Sequence, residues 1–352
     1  MFVHEETKAA GRPTYSALVD EISSLLTVAA TEVDRTLEGD DRVRLVASVG
    51  AMNDQAAAGD RVAFYHQQLL LARIYGMYTT IPHAHTAEGS VVLHDITRSL
   101  EVATLAAEDR WIEPGSIQAA PTEGKAFLSW IKTMARQHRV FKHPYYGDFI
   151  NHHATADDLR TYVIQESLVD GRFDDLLALM QVGTAGQAKM EIASNFWDEM
   201  GNGKPEEVHT HLFNKIYEVF AITDDELESA MTASDLLAGN LALLVCRYRS
   251  LYPEAVGFLG MTEWLVPDRF TNVIRAWERL GLPDVGITYH RLHVTIDSVH
   301  AAGWFHNIVL PAATSDHMRH GIARGTLWRL NSSARHLDER LEQASAHGIR
   351  KV

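Results

Sequence analysis

Apolar positions recur at helical spacing through most of this chain, and the alternation that a half-buried strand needs is scarce. From Arg61 to Tyr78, Val62, Phe64, Tyr65, Leu69, Ala72 and Ile74 form a near-continuous apolar surface, which predicts a buried helix. Ser99–Trp111, Ala126–Gln137 and Thr155–Leu179 carry the same signal, the last with a break expected at Gly171. Thr155 followed by Asp158 reads as an N-cap with an acidic first turn, and Pro205-Glu206-Glu207 as a helix start with proline at N1. The segment Phe141-Lys142-His143-Pro144-Tyr145-Tyr146-Gly147 breaks the period and suggests a boundary. Residues 1–145 are therefore expected to form a helical accessory layer, and residues 146–352 the functional bundle. The fold class predicted is all-α.

Composition narrows the function. With 352 residues, of which 46% are hydrophobic and 22% charged, the chain has ample material for a core. A formal net charge of −14 disfavours nucleic acid or an anionic membrane as partner, because both select a basic footprint. The single cysteine, Cys246, excludes an internal disulfide framework, a cysteine-ligated iron–sulfur cluster and a thiolate zinc site. No apolar run approaches the roughly 20 residues of a membrane span. Met1-Phe2-Val3-His4-Glu5-Glu6 is acidic and lacks an apolar core, so no secretory signal and a cytoplasmic location are expected.

The 19 histidines matter only through their spacing. In His293-Val294-Thr295-Ile296-Asp297-Ser298-Val299-His300, positions i, i+4 and i+7 fall within roughly 60° of one another on a helix. Two imidazoles and a carboxylate thus share one stripe, and the apolar Val294, Ile296 and Val299 between them suggest that it faces inward. A lone inward histidine is ordinarily a hydrogen-bonded core residue; a buried His–Asp–His triple calls for compensation. A divalent metal supplies it, and this ligand mix suits non-haem iron.

One helix cannot complete a two-metal site, so carboxylates on other inward helices are required. Glu263 is the only charge between Glu254 and Asp268, Glu199 ends an apolar helix before Gly201-Asn202-Gly203, and Glu166 interrupts another apolar face. His209 pairs with Glu206 at i, i+3, a spacing common in di-iron bundles, or with Glu199 if the glycine break folds the chain back. His211 points elsewhere.

Glu199-x9-His209, then Glu263, then His293-x3-Asp297-x2-His300 resembles the haem-oxygenase-like diiron oxidases and oxygenases, known as iron-containing redox enzymes. The context resembles them too: Asp198-Glu199-Met200-Gly201-Asn202-Gly203, His209-x2-Leu212-Phe213, Pro267 after Glu263, and Trp304 after His300. The resemblance covers about residues 155–315. It implies a haem-oxygenase-like seven-helix bundle without haem. It also implies that His209, Glu263, His293, Asp297 and His300 ligate iron, with Glu199 rather than Glu206 as the carboxylate of the first core helix. Glu166 corresponds to an additional upstream carboxylate of the N-oxygenating branch, at a longer spacing than that branch shows. The N-terminal extension is also similar to that branch, where such a layer supports a homodimer.

What the resemblance implies for chemistry is two Fe(II) ions per chain, O2 as co-substrate and a peroxo-diiron(III) intermediate. The leading expectation is N-oxygenation of an amino-acid-like amine in specialised metabolism, with an external electron donor. The alternatives are oxidative C–C cleavage or desaturation of an amino acid or fatty acid, and a metal-free oxidase of the same fold; manganese suits the same ligands. Phe196, Trp197, Trp264 and Trp304 are candidate pocket walls. Arg269 and Arg291 are near the site in sequence only.

Overall fold

The structure, a computed structural model, describes residues 14–350; the expectation placed on Met1–Glu6 lies outside the described residues. These residues form sixteen α-helices joined by short 3-10 and π segments, with no strand among them. The all-α reading stands. No helix among them is long and apolar enough to cross a membrane.

The chain divides into two compact units after Arg110. The first holds α1 (Tyr15–Leu25), α2 (Ala30–Thr36), α3 (Asp40–Ala57), α4 (Arg61–Thr79) and α5 (Val91–Asp109). Leu18, Ile22, Leu45, Val49, Leu70 and Leu100 close its core. The predicted helix α4 buries Ala63, Gln67, Gln68, Leu70, Leu71, Ile74 and Tyr75, whereas Val62, Phe64, Tyr65, Leu69 and Ala72 are only half-buried. Two glutamines can be buried because each is bonded: Gln67 donates to Asn53 at 2.9 Å and Gln68 to Thr104 at 3.1 Å.

The second unit holds α6 (Gly124–Gln137), α7 (Ala156–Glu166), α8 (Phe173–Gln181), α9 (Gly186–Glu199), α10 (His209–Phe220), α11 (Asp224–Ser229) and α12 (Ala233–Arg247). It continues with α13 (Tyr252–Arg279), α14 (Thr288–Gly303), the single turn α15 (Leu310–Ala312) and α16 (Asp316–Arg350). The unit begins well before the expected boundary at 145, because α6 is one-sided: Phe127, Ile131 and Ala135 are buried, and the helix packs on α15 and α16. The irregular segment near 145 is a 3-10 turn, Arg139–Lys142, and a π-helix, Tyr145–His153, packed inside the unit against α16 and α13 respectively.

Helix α13, 28 residues long and mostly buried, is the spine of this unit, flanked by α14, α16 and α12. Gly257 and Gly325 let α13 and α16 approach backbone to backbone. A Cβ at Gly257 would lie 2.0 Å from the Ile322 carbonyl oxygen, and one at Gly325 1.9 Å from that of Glu254. The break expected at Gly171 is present: α7, opened by the Thr155–Asp158 capping box, ends at Glu166, and a 3-10 turn, Asp170–Arg172, leads into α8. Pro205 opens a 3-10 turn rather than a helix; α10 starts at His209.

Candidate metal centre

Four helices bring six buried side chains together. The carboxyl end of α9 supplies Glu199, the first residue of α10 His209, the middle of α13 Glu263, and one face of α14 His293, Asp297 and His300. All six are at most 5% exposed. They form two triads, Glu199–His209–His293 and Glu263–Asp297–His300, and within each a ligand atom from every residue lies within 4.8 Å of the others. The inward stripe on α14 is as expected, but not for the reason given. Val299 is 67% exposed, and Val294 and Ile296 are half-buried, so the polar residues themselves form the buried face.

On a straight helix Glu199 and His209, ten residues apart, would diverge. Gly201 (φ +59°) and Asn202 (φ 52°) take left-handed conformations after α9, and the chain doubles back. The approach is so close that a Cβ at Gly201 would lie 2.5 Å from the Glu207 carbonyl carbon. His209 Nδ1 ends 2.8 Å from Glu199 Oε2. Glu206 and His211 are exposed and belong to neither triad.

Hydrogen bonds orient two of the imidazoles. His293 Nδ1 lies 2.8 Å from the Tyr289 carbonyl, which only accepts, so Nδ1 carries the proton; Nε2 is left facing Glu199 Oε1 at 3.9 Å. His300 Nε2 donates to Asp198 Oδ2 at 3.0 Å. Its Nδ1 faces Glu263 Oε2 at 3.7 Å and Asp297 Oδ1 at 3.8 Å.

Several facing atoms are left over. His209 Nδ1, His300 Nδ1 and Glu263 Oε1 are buried without a hydrogen-bond partner; the His209–Glu199 contact is short but poorly aligned. Orphaned donors and acceptors at this depth are costly.

The charges show the same strain. Burial raises the Glu199 carboxyl, but His209 and His293 outweigh it and hold it at about 2. Asp297 is pushed well above the ordinary range by burial and then by the charges of Glu263 and Glu199. Burial lowers the His300 imidazole, yet Glu263 and Asp198 overcome that and raise it to about 9. Inward imidazole lone pairs beside carboxylates that repel one another are a donor set that divalent iron fits: nitrogen and oxygen, no sulfur, three donors per triad.

Glu199, His293, Glu263 and Asp297 all border one cavity of about 20 Å³. Its apolar walls are Phe173, Val266, Phe270 and Tyr289. The aromatic residues expected as walls have other work. Trp197 is 53% exposed, Phe196 is half-buried and Trp264 packs on Phe141 and Phe305. Trp304 lies over Gly260 and donates to the Val256 carbonyl at 2.9 Å.

Glu166 does not join either triad. It accepts from Arg340 Nη1 at 2.6 Å and from the Tyr146 hydroxyl at 3.3 Å. The cavity carboxylate outside the triads is Asp170, buried, with Oδ2 unpartnered. Its signal was in the sequence: like Glu199, it sits just before a glycine break.

A model of the protein family described as "Iron-containing redox enzyme" matches residues 160–334, a span that holds both triads and Asp170. No curated protein matches the chain.

Proposed function

We propose a specific chemistry for a chain that belongs, over residues 160–334, to the iron-containing redox enzymes: O2 activation at two iron ions to oxygenate the amine of an amino-acid-like substrate. The observation that carries it is the pair of buried histidine–carboxylate triads on one cavity, with unpartnered atoms facing inward.

Glu199, His209 and His293 hold one ion in this reading, and Glu263, Asp297 and His300 the other. When bound, Fe(II) supplies the electrons and open coordination positions that O2 activation requires. The side chains do the rest. Tyr289 and Asp198 hold protons on His293 Nδ1 and His300 Nε2, so that each opposite nitrogen offers its lone pair to the interior. Phe173, Val266, Phe270 and Tyr289 keep bulk water away.

Three features support N-oxygenation over C–C cleavage or desaturation: the separate helical unit ahead of the bundle, the Glu-x9-His spacing, and a further cavity carboxylate upstream. Asp170 fills that last role better than Glu166, which is engaged by Arg340. The same reading includes an external reductant, a cytoplasmic setting and a homodimer formed through residues 14–110, the last testable by light scattering with and without that unit.

Anaerobic loading with Fe(II) is expected to give two irons per chain, and O2 a transient visible band. Incubation with basic amino acids followed by mass spectrometry separates gain of oxygen from loss of carbon. His300→Ala should lose one iron and keep its helical content. A chain that stays metal-free under these conditions supports the metal-free oxidase instead.

A further inference from the structure

The second unit buries two guanidiniums that no carboxylate among the described residues pairs with. Along one face of α16 lie Arg329, Ser333, His336 and Arg340, at i, i+4, i+7 and i+11, all buried. Arg340 has its charge matched, by Glu166 at 2.6 Å and Asp235 at 3.2 Å, although its Nε is buried without a partner, and His336 also meets Asp235. Those two carboxylates are thereby used.

Two guanidiniums remain. Arg269, 9% exposed, donates to Ser333 Oγ at 2.8 Å and stands 5.3 Å over the Tyr146 ring, and no carboxylate among the described residues pairs with it. Arg329, 7% exposed, makes no hydrogen bond or ion pair to any described residue. Its Nε is buried and unpartnered, and the group stands 5.5 Å over the Phe258 ring. An unpaired guanidinium at this depth costs far more than an apolar residue of its size. Burial, and then the like charge of Arg269, lower the Arg329 group to about 10, while Glu166, Tyr146 and Asp170 pull the other way.

Neither arginine borders the cavity itself; each is linked to its wall through a neighbouring residue. Arg269 immediately precedes Phe270 of the cavity wall, and Asp170, on the same wall, is close enough to act on the Arg329 charge. Phe258, beneath Arg329, is one turn before Thr262, also on that wall; the Thr262 hydroxyl donates to its carbonyl at 3.1 Å. A cation without a counter-ion, beside a reaction cavity otherwise rich in carboxylates, lacks one partner of opposite sign.

We propose that Arg329, assisted by Arg269, receives a carboxylate of the organic substrate, so that the centre acts on carboxylate-bearing molecules held by that group while another part faces the metal triads. This rests on the oxygenase reading for the substrate's fate, though not for the anion site itself. A planar guanidinium binds a carboxylate through two parallel hydrogen bonds, which fixes orientation as well as charge.

The test uses the full chain, metal-free and Fe(II)-loaded under argon, with acetate as the probe and acetamide as its neutral counterpart at matched ionic strength. Acetate is expected to raise the melting temperature of both forms, and acetamide to leave it unchanged. Arg329→Met should weaken the acetate response roughly tenfold or more. Without acetate the variant should melt no lower than the parent, because an uncompensated charge has been replaced by an apolar chain.

An equal response to acetamide, an undiminished acetate response in Arg329→Met, or a lower melting temperature for the variant each overturns the proposal; the last would make Arg329 a structural partner. Arg329→Lys should restore part of the acetate response, and failure to do so also counts against it. Failure of the metal reading looks different: no iron is bound, while acetate still depends on Arg329.

Discussion

His300 gives Nε2 to Asp198, 3.0 Å away at the rim of the site, and turns Nδ1 inward to Glu263 and Asp297. Asp198 is 31% exposed, and it also accepts from Asn202 Nδ2 at 3.0 Å, so the turn after α9 holds the residue that holds the imidazole. The proton on Nε2 leaves the Nδ1 lone pair free for a metal. Asp198→Ala is therefore expected to weaken the ion at Glu263–Asp297–His300 by about 10–100-fold and to spare the other. Calorimetric titration with Mn(II) or Fe(II) reads the two affinities; equal weakening of both, or of neither, sinks the idea.

The pH dependence of metal binding should also differ between the triads. In the metal-free chain His300 holds its proton up to about pH 9, with Asp297 raised as well, so an ion must displace protons there. Affinity at that triad is expected to climb with pH toward about 9 and then flatten. Glu199, held at about 2, has no proton to displace above pH 4. The sign for folding is opposite: a raised imidazole stabilises the metal-free fold below its unfolded value near 6.5, and that contribution is lost as pH rises through about 9. Titrations at pH 6.5, 7.5 and 8.5 check this, and pH-independent binding at the second triad would contradict it.

Gly201→Ala should damage the first triad without replacing any of its residues. The position needs φ +59°, and the added methyl would meet the Glu207 backbone at 2.5 Å. The expected loss is about 1–3 kcal/mol of stability, with a larger loss of metal at Glu199–His209–His293 than at the other triad. Thermal denaturation and metal stoichiometry measure the two effects separately. An unaffected first triad would mean that the turn does not set its geometry.

Glu166 and Asp170 give a direct contrast. Glu166→Gln should destabilise the chain by about 1–3 kcal/mol, because it weakens the hydrogen-bonded pair with Arg340, and should keep both ions. Asp170→Asn should leave stability nearly unchanged, since its Oδ2 has no partner, and should lower iron binding or O2 reactivity. The reverse pattern would restore Glu166 as a ligand.

Much of this protein was legible along the chain. Helical period predicted the all-α class, since a 3.6-residue repeat in apolar positions forms only one kind of buried face. The stripe His293–Asp297–His300 was legible for the same reason: side chains on one helix are related by local geometry alone. Side chains related across a turn were not. Whether His209 turns toward Glu199 or Glu206 depends on two left-handed residues and a backbone contact, and no spacing rule contains those. Asp170 and Glu166 lie four residues apart, and pattern alone singled out Glu166, whereas Asp170 is the one that borders the cavity, because the partner that occupies Glu166, Arg340, is 174 residues away in sequence. The extent of the second unit was hidden likewise: α6 looks like any amphipathic helix until the surface it covers is known. Local periodicity thus determined element type and the chemistry carried on single helices. Tertiary packing decided which carboxylates converge, which are neutralised by arginine, and which cation is left without a partner, because burial and charge compensation arise only between segments distant along the chain.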